Sequence, residues 1–389
     1  MLSTEHKVIM KYEAEVKKRA FHPEKLVFWQ KGGRTLLSKR LKERARALGL
    51  APVGITSAEP LLEVRQVLEG RAQSGEVTPF VSADIVLRTD PRKVWPEARA
   101  VILVGLPYAV APAPPPHSLR GYVAAGAAGR DYHHVLRDKL RELAAFLEAE
   151  VPGAQSRLFV DTGPLIERPF AWRAGLGVWG ESTALLNPQG GPAFFLGGLL
   201  INRPLQPDVP QTGSCLRCGR CRRACPTGAL VEPFRVKPAK CLSYLTQARV
   251  ALPPALRPLL GNRLYGCDAC LAACPLIEKA PQAGAEIALP EFLTLSRREF
   301  AHRYGETAMA WRGRTVLQRN AAYVLGNLGD PAAIPVLTTL LTDPRPALRA
   351  AAVWSLGCLG GRKARAALER QLKWDNDAAV QAEITRALT

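Results

Sequence analysis

Eight of the nine cysteines in this 389-residue chain lie within one short segment, between Cys215 and Cys274. The first run, CLRCGRCRRACP (215–226), has the spacing C-x2-C-x2-C-x3-C-P, which is a ligand pattern of bacterial [4Fe–4S] clusters. The second run, YGCDACLAACP (265–275), ends in the same way, but Leu264 stands where its first cysteine should be. In a chain with no recognisable export signal, such clustering indicates metal ligation rather than disulfides.

The spacing also predicts which cysteines act together. In two-cluster ferredoxins, the fourth cysteine of one run ligates the other cluster. We therefore expect a first [4Fe–4S] cluster on Cys215, Cys218, Cys221 and Cys274. Cys241 is the unassigned cysteine nearby, so we expect a second [4Fe–4S] cluster on Cys225, Cys241, Cys267 and Cys270. Zinc is the competing metal, but zinc sites usually pair two C-x2-C knuckles.

Alternating strands and helices precede the cysteines and predict the domain that must receive electrons from them. Apolar runs predict strands at VGIT (53–56), AVILVGLPYAV (100–110), RLFVDTGP (157–164) and AFFLGGLLIN (193–202). Amphipathic or glycine-terminated patterns predict helices from Leu37 to about Gly49, over 131–150 and over 169–177. Residues 37–206 are thus expected to form an α+β or α/β domain, and residues 1–36 a basic N-terminal arm.

The remainder divides by composition into a cysteine module, 207–282, and an alanine- and leucine-rich region, 283–389. NAAYVLGNLGD (320–330) and AAVWSLGCLGG (351–361) are similar at a spacing of 31 residues, and VQAEITRAL (380–388) begins a third copy. This period predicts α-helical HEAT-like repeats. Cys358 lies on a repeat helix, where a buried and unreactive thiol is expected.

The net charge of +19 favours a polyanionic partner, and nucleic acid is the commonest large one in a cytosol. No stretch approaches the roughly 18 apolar residues of a membrane span, and the first twenty residues are too charged for a signal peptide. We therefore expect a cytoplasmic protein without membrane contact.

Several motifs together resemble one family. These are the two cysteine runs, VDTGPLIERPFAWRAGLGVWG (160–180), CLSYLT (241–246) and LQRNAAYVLGN (317–327). In this order they resemble the epoxyqueuosine reductases, the cobalamin- and iron–sulfur-dependent enzymes of the last step of queuosine formation in tRNA. The resemblance implies that residues 37–206 form a reductive-dehalogenase-like α/β domain holding base-off cobalamin. It further implies that the clusters reduce cobalt to Co(I), which converts epoxyqueuosine to queuosine.

The resemblance also implies roles for individual residues. Asp161, in VDTGP, matches the proton donor of the family, and its pKa should be raised by a dry pocket; without the family it reads as a turn residue. The implied cobalamin contacts are Arg88, Asp161, Ser243, Asp268 and Ala269. His133 is read either as a cobalt ligand or as an ordinary histidine at a helix start. Glu181 stands where the family usually has lysine, which leaves the contacts at that position open.

The implied partners are a tRNA anticodon stem-loop and an electron donor of the flavodoxin or ferredoxin type, with the protein a monomer. Arginines at the start of the repeats are candidates to grip the RNA, with a merely solvated helix face as the alternative: Arg312, Arg314 and Arg319. Two alternatives stay open on the sequence alone. One is a cobalamin-dependent reductase of a small molecule, and the other is a non-catalytic electron-transfer protein.

Overall fold

A computed structural model describes residues 31–213, 215–277, 280 and 283–389, with the backbone alone for 31–34. Most of the expected N-terminal arm therefore lies outside the described residues, and the helix predicted from Leu37 extends back to Lys31. Within the described part, no helix has both the length and the apolar character needed to cross a membrane.

The first part of the chain alternates helices and strands, much as the apolar pattern predicts. Its elements are α1 (Lys31–Ala47), β1 (Val53–Ser57), α2 (Leu62–Gln73), α3 (Ile85–Thr89), α4 (Pro91–Val94), β2 (Ala100–Pro107), β3 (Arg120–Val123), α5 (Ala125–Ala128), α6 (Tyr132–Glu150), β4 (Ser156–Phe159), α7 (Glu167–Arg173), β5 (Val178–Trp179), β6 (Leu185–Leu186) and β7 (Phe194–Ile201).

The second part contains short elements around the cysteines and longer helices after them. They are α8 (Arg220–Arg223), β8 (Leu230–Glu232), β9 (Arg235–Val236), α9 (Leu242–Leu245), β10 (Arg263–Tyr265), α10 (Ala269–Ala272), β11 (Ala285–Ala288), α11 (Leu289–Thr294), α12 (Arg297–Tyr304), α13 (Arg314–Leu328), α14 (Ile334–Thr339), α15 (Pro346–Leu359), α16 (Gly361–Leu372) and α17 (Ala378–Leu388).

The main sheet has four antiparallel strands in the order β1-β2-β7-β4. Successive residues of β2 point to opposite faces, as the period of a strand requires. Ile102 packs with Leu41 of α1 and Leu136 of α6, whereas Leu103 packs with Phe170 of α7 on the other face. Helices therefore cover both faces of the sheet. The sequence left α+β and α/β domains as alternatives, and the antiparallel strand order is that of an α+β domain.

A second, three-stranded sheet joins the parts of the chain. Its order is β10-β3-β11, with β3 parallel to β10 and antiparallel to β11. One strand thus comes from before the cysteines, one from between them and one from after them. The sheet therefore contains strands from both sides of each predicted domain limit, 206 and 282. These limits remain predictions.

The repeat region packs its helices through the glycines of the repeated Leu-Gly pairs. A Cβ on Gly326 would lie 2.8 Å from the Cα of Ser355, and one on Gly357 would lie 2.8 Å from the Cβ of Ala387. Glycine therefore permits the close approach of α13, α15 and α17. The expectation that Cys358 is buried was wrong, because Cys358 is exposed. Its neighbour Gly357 faces α17, whereas Cys358, the next residue, lies on the solvent side of the helix.

A buried ion pair ties the last helix to the segment between the cysteine runs, and it yields a stability prediction. Arg257 donates to Glu383 of α17 at 2.7 Å, and both side chains are 6% exposed. We expect Glu383→Ala to lower the free energy of unfolding by about 3–5 kcal/mol, because it leaves the Arg257 charge buried without its partner. Denaturant titration measures the change.

The matched control is Glu369→Ala, which removes a solvent-exposed pair with Arg365 within one helix. This control should change stability by about 0.5 kcal/mol or less. Equal effects of the two substitutions would contradict the importance of the buried pair.

Candidate active site and electron path

The structure places the first predicted set of cysteines around one small cavity. Cys215, Cys218, Cys221 and Cys274 line it, together with residues that include Glu181. In the part of the chain that the structure describes, no three acidic, histidine or cysteine side chains converge closely enough to hold a single metal ion. A four-iron cluster holds its thiolates further apart than one ion does, so four thiols around one cavity suit such a cluster.

The second predicted set lies directly beside the first. Burial raises the pKa of the Cys270 thiol, and the neighbouring thiols of Cys267, Cys241 and Cys225 raise it further. The Cys221 thiolate of the first set also raises the pKa of Cys270, so the two sets are neighbours. The eight cysteines are thus brought together in the two predicted groups, although their roles as ligands remain predictions.

Leu264 explains why the second run lacks its first cysteine. It lies in β10, and its side chain is completely buried in the core around the repeats. Its carbonyl accepts a hydrogen bond of 3.0 Å from Asn320, whose side chain also donates to the carbonyl of Thr246 at 2.7 Å. A thiolate at position 264 would point into this core, so the fourth thiol of the set has to come from another segment.

The prediction that Arg319 grips RNA was wrong. Arg319 is 2% exposed, and it donates to the carbonyls of Ala248 at 2.9 Å and Val250 at 2.6 Å. Burial lowers its pKa to about 10. The sequence pattern showed a basic helix but not which side of the helix is buried. Arg312 and Arg314 are half-buried and donate to the carbonyls of Gln247 and Leu295.

Asp161, the predicted proton donor, follows β4 in a left-handed backbone conformation with φ of 42°. Its side chain is 60% exposed. The hydroxyl of Tyr132 donates to its Oδ2 at 2.7 Å, and His133 Nε2 lies 3.4 Å from the same oxygen. That second contact is too poorly aligned for a hydrogen bond, so it is an ion pair when His133 is protonated.

The protonation of this group differs from the expectation. Interaction with His133 lowers the pKa of Asp161; burial opposes this, and the hydrogen bond from Tyr132 adds to it. Burial lowers the pKa of His133, but Asp161 and Asp131 outweigh it and the net pKa is raised. His133 Nδ1 lies 2.7 Å from Asp131 Oδ1. The expected rise of the Asp161 pKa is therefore not met: the pKa of Asp161 is lowered and that of His133 is raised.

Glu167 is a site residue that the sequence analysis missed. It is the first residue of α7, and its Oε1 is buried without a hydrogen-bond partner among the described residues. Burial raises the pKa of Glu167 to about 7, and the Asp161 carboxylate contributes. Its position six residues after Asp161 in the same motif was the available signal. Arg88, a predicted cofactor contact, lies near this carboxylate, and the charge of Glu167 raises the pKa of Arg88 against the effect of burial. The carbonyl of Arg88 accepts a hydrogen bond of 3.0 Å from the backbone N–H of Ile166.

The other predicted cofactor contacts lie beside the cysteines. Asp268 is 8% exposed, and its Oδ2 accepts a hydrogen bond of 2.7 Å from the backbone of Ala125. Ala269 begins α10, next to Cys270. Ser243 is half-buried and follows Cys241 in the chain by two residues. These three residues thus accompany the second set of cysteines.

Three stacked aromatic rings connect the second set to Asp161. The charge of Cys270 acts on Tyr108, which stacks on Phe195 with ring centroids 4.5 Å apart. Phe195 stacks on Tyr132 at 3.8 Å with an interplanar angle of 1°, and Tyr132 donates to Asp161. The three rings therefore form a stack that runs from Tyr108, near Cys270, to the exposed carboxylate.

Glu181 occupies an unexpected environment. Its side chain is 7% exposed and lines the cavity of the first cysteine set. Burial raises the pKa of Cys221, and the Glu181 carboxylate contributes to that rise. The charge at this position therefore acts on the first cysteine set.

Comparison with protein families agrees with this arrangement. A family model described as epoxyqueuosine reductase QueG, DUF1730, matches residues 88–162, which include Arg88 and Asp161. A 4Fe-4S double cluster binding domain matches residues 214–276, and HEAT repeats match residues 312–389. The expected iron–sulfur chemistry and the expected repeats are both confirmed by these matches.

Curated relatives extend the likeness to nearly the whole chain. An epoxyqueuosine reductase of Staphylococcus aureus is 38% identical over 375 residues, which cover 92% of this chain and 98% of the relative. One of Bacillus subtilis is 34% identical over 367 residues, covering 90% of this chain and 95% of the relative.

Solved structures show the same fold. A crystal structure of epoxyqueuosine reductase with a tRNA-Tyr epoxyqueuosine-modified tRNA stem loop superposes with a TM-score of 0.86 and 33% identity, covering 91% of this chain and 98% of the other. A second, from Bacillus subtilis, has its catalytic aspartate loop swung out of the active site, also at a TM-score of 0.86, with 33% identity over 91% of this chain and 99% of the other. A reductive dehalogenase matches with a TM-score of only 0.36, so that kinship stays a prediction. The chain belongs to the epoxyqueuosine reductase family.

Proposed function

We propose that this protein reduces epoxyqueuosine to queuosine in the anticodon loop of tRNA, in the cytoplasm. The observation that carries the proposal is the exposed Asp161 carboxylate, which ends the path of stacked rings from the cysteines and contacts Tyr132 and His133. Membership of the family and the repeat region favour this function over a small-molecule reductase or a simple electron carrier.

The proposed cofactors are two [4Fe–4S] clusters and a base-off cobalamin. The clusters are assigned to the two cysteine sets, and Arg88, Asp161, Ser243, Asp268 and Ala269 are the residues that would contact the cobalamin. The exposed Asp161 carboxylate, and the Oε1 of Glu167 that is buried without a hydrogen-bond partner among the described residues, fit a site made for a polar ligand. When bound, cobalamin supplies the two electrons that reduce the epoxide.

The residues of this chain supply protons. Removing the epoxide oxygen as water consumes two electrons and two protons and leaves an alkene. An oxygen leaves readily only if it is protonated as its bond breaks. We assign the first proton to the Asp161–His133 pair, in which Asp161 faces the substrate and His133 Nε2 lies 3.4 Å from its carboxylate. Burial and the Asp161 carboxylate raise the pKa of Tyr132, so its hydroxyl stays a donor that orients the carboxylate.

A groove beside Asp131 is the proposed place for the RNA. It has a volume of about 650 Å³, and its lining includes Arg297, Trp311 and Arg314. Trp311 is 53% exposed, and the guanidinium of Arg312 lies 4.3 Å from its ring centre. Arginine and an exposed aromatic ring are the groups that hold phosphates and unstacked bases.

We propose that the protein acts as a monomer and takes electrons from a carrier of the flavodoxin or ferredoxin type.

The catalytic proposal predicts that Asp161→Asn keeps the fold and both kinds of cofactor but lowers turnover by about 100-fold or more, because a positioned acid contributes that much. The measurement is mass analysis of nucleosides from an epoxyqueuosine stem-loop, after anaerobic reconstitution. The control is Asp138→Asn, the same change at a carboxylate of α6 that pairs with Arg130 and Arg141.

Asp138→Asn should leave turnover unchanged. Near-normal conversion by Asp161→Asn would contradict the role of Asp161. If the unsubstituted protein, carrying clusters and cobalamin, left the epoxide intact, the proposed reaction itself would be wrong.

The RNA groove predicts that Trp311→Ala weakens stem-loop binding by about 1–3 kcal/mol, the range measured when a base loses an aromatic partner. Fluorescence anisotropy of a labelled stem-loop gives the affinity, and circular dichroism checks the fold. Trp374→Ala is the control, because Trp374 is 80% exposed and does not line the groove. Equal affinities of the two variants would argue against stacking at Trp311.

A further inference from the structure

The two cysteine sets differ in their access to solvent. Of the eight cysteines, all among the described residues, Cys218 alone is exposed. Leu216, which lines the same cavity, is 59% exposed. In the second set, Cys267 and Cys270 flank Asp268, whose side chain is only 8% exposed. Electrons that come from outside the protein therefore have their shortest entry at the first set.

The surface at this entry is strongly basic. Four exposed arginines stand between Cys215 and Cys225: Arg217, Arg220, Arg222 and Arg223. Glu232, the next carboxylate along the chain, pairs with Arg235 at 2.9 Å, and none of the ion pairs between described residues includes the four arginines. We name these arginines, with Leu216 and Cys218, the entry patch.

Part of the entry patch is held rigidly. Arg223 donates to the carbonyl of Cys218 at 2.9 Å, and Arg222 donates to the carbonyl of Val231 at 3.2 Å. The resulting surface combines an exposed apolar side chain and an exposed thiol with four exposed positive charges. Transient protein interfaces have this anatomy, and their charges mainly set the rate of encounter.

We propose that the entry patch is the docking surface for a small acidic electron-carrier protein, which passes single electrons to the cluster of the first cysteine set. Opposite charge brings the carrier to the arginines, and Leu216 and Cys218 let its redox group come close to the cluster. Each transfer oxidises the carrier by one electron and reduces the cluster by one, so no bond forms or breaks. The proposal rests on the function proposed above, in which an external carrier supplies the electrons.

RNA is the other polyanion that could bind four arginines. Two features favour the carrier. The thiol at the centre of the patch belongs to the predicted entry cluster, and no exposed aromatic ring for stacking a base borders it in the described lining of the cavity. The proposed RNA groove, in contrast, has Trp311.

The test is the rate at which reduced flavodoxin bleaches the cluster absorbance of the reconstituted protein, without RNA. For Arg217→Glu with Arg220→Glu, we expect at least a tenfold fall in this rate, no change in the rate with dithionite, and unchanged stem-loop affinity. Dithionite is a small reductant that needs no docking surface. The matched control, Lys39→Glu with Arg46→Glu on α1, makes the same change in net charge and should leave both rates unchanged.

The unsubstituted protein gives an independent arm, which holds even if the double variant fails to bind its clusters. Its rate with flavodoxin should fall steeply as salt rises, whereas the dithionite rate should not. The proposal would be overturned if the flavodoxin rate did not depend on salt, or if the variant kept the unsubstituted rate with flavodoxin. It would also be overturned if the variant lost stem-loop affinity. Because the readout is cluster reduction, failure here is distinct from failure of the epoxide reaction.

Discussion

The site depends on a set of buried hydrogen bonds from helix α13 to the segment between Cys241 and Cys267. Asn320 binds the carbonyls of Thr246 and Leu264, and Arg319 binds those of Ala248 and Val250. Buried polar groups with all partners present hold a single geometry, since a lost partner leaves a costly unpaired group. The repeat region therefore fixes the thiols of the second set, in addition to any contact it makes with RNA.

This constraint accounts for the displaced cysteine. Strand β10 carries Leu264 into the core, so the position that a simple ferredoxin would use for its ligand serves packing instead. Cys241 begins the segment that α13 holds, and its thiolate raises the pKa of Cys270 together with those of Cys225 and Cys267. The same segment carries Ser243. The stacked rings of Tyr108 and Phe195 lie between Cys270 and Asp161. A cluster ligand, a cofactor contact and the path to the acid thus share one framework.

Local patterns in the sequence predicted the strands of the main sheet, the repeat helices and the grouping of the cysteines, because periodicity and spacing act over short distances. They did not predict the pairing of β3 with β10 and β11, which joins residues more than a hundred positions apart. For the same reason, Arg319 seemed a surface charge, and Tyr132 was not recognised as the partner of Asp161. For Glu167, the motif gave its position near Asp161 in the chain, but the burial of its oxygen depends on the tertiary fold.

The assignment of the missing thiolate to Cys241 can be tested by the iron and sulfide content and the EPR spectrum of Cys241→Ser after anaerobic reconstitution. We expect loss of the second cluster and retention of the first. Cys358→Ser, a substitution of the exposed cysteine in the repeats, should keep both clusters. If Cys241→Ser bound two [4Fe–4S] clusters with the spectrum of the unsubstituted protein, another residue would be the fourth ligand and the assignment of Cys241 would be wrong.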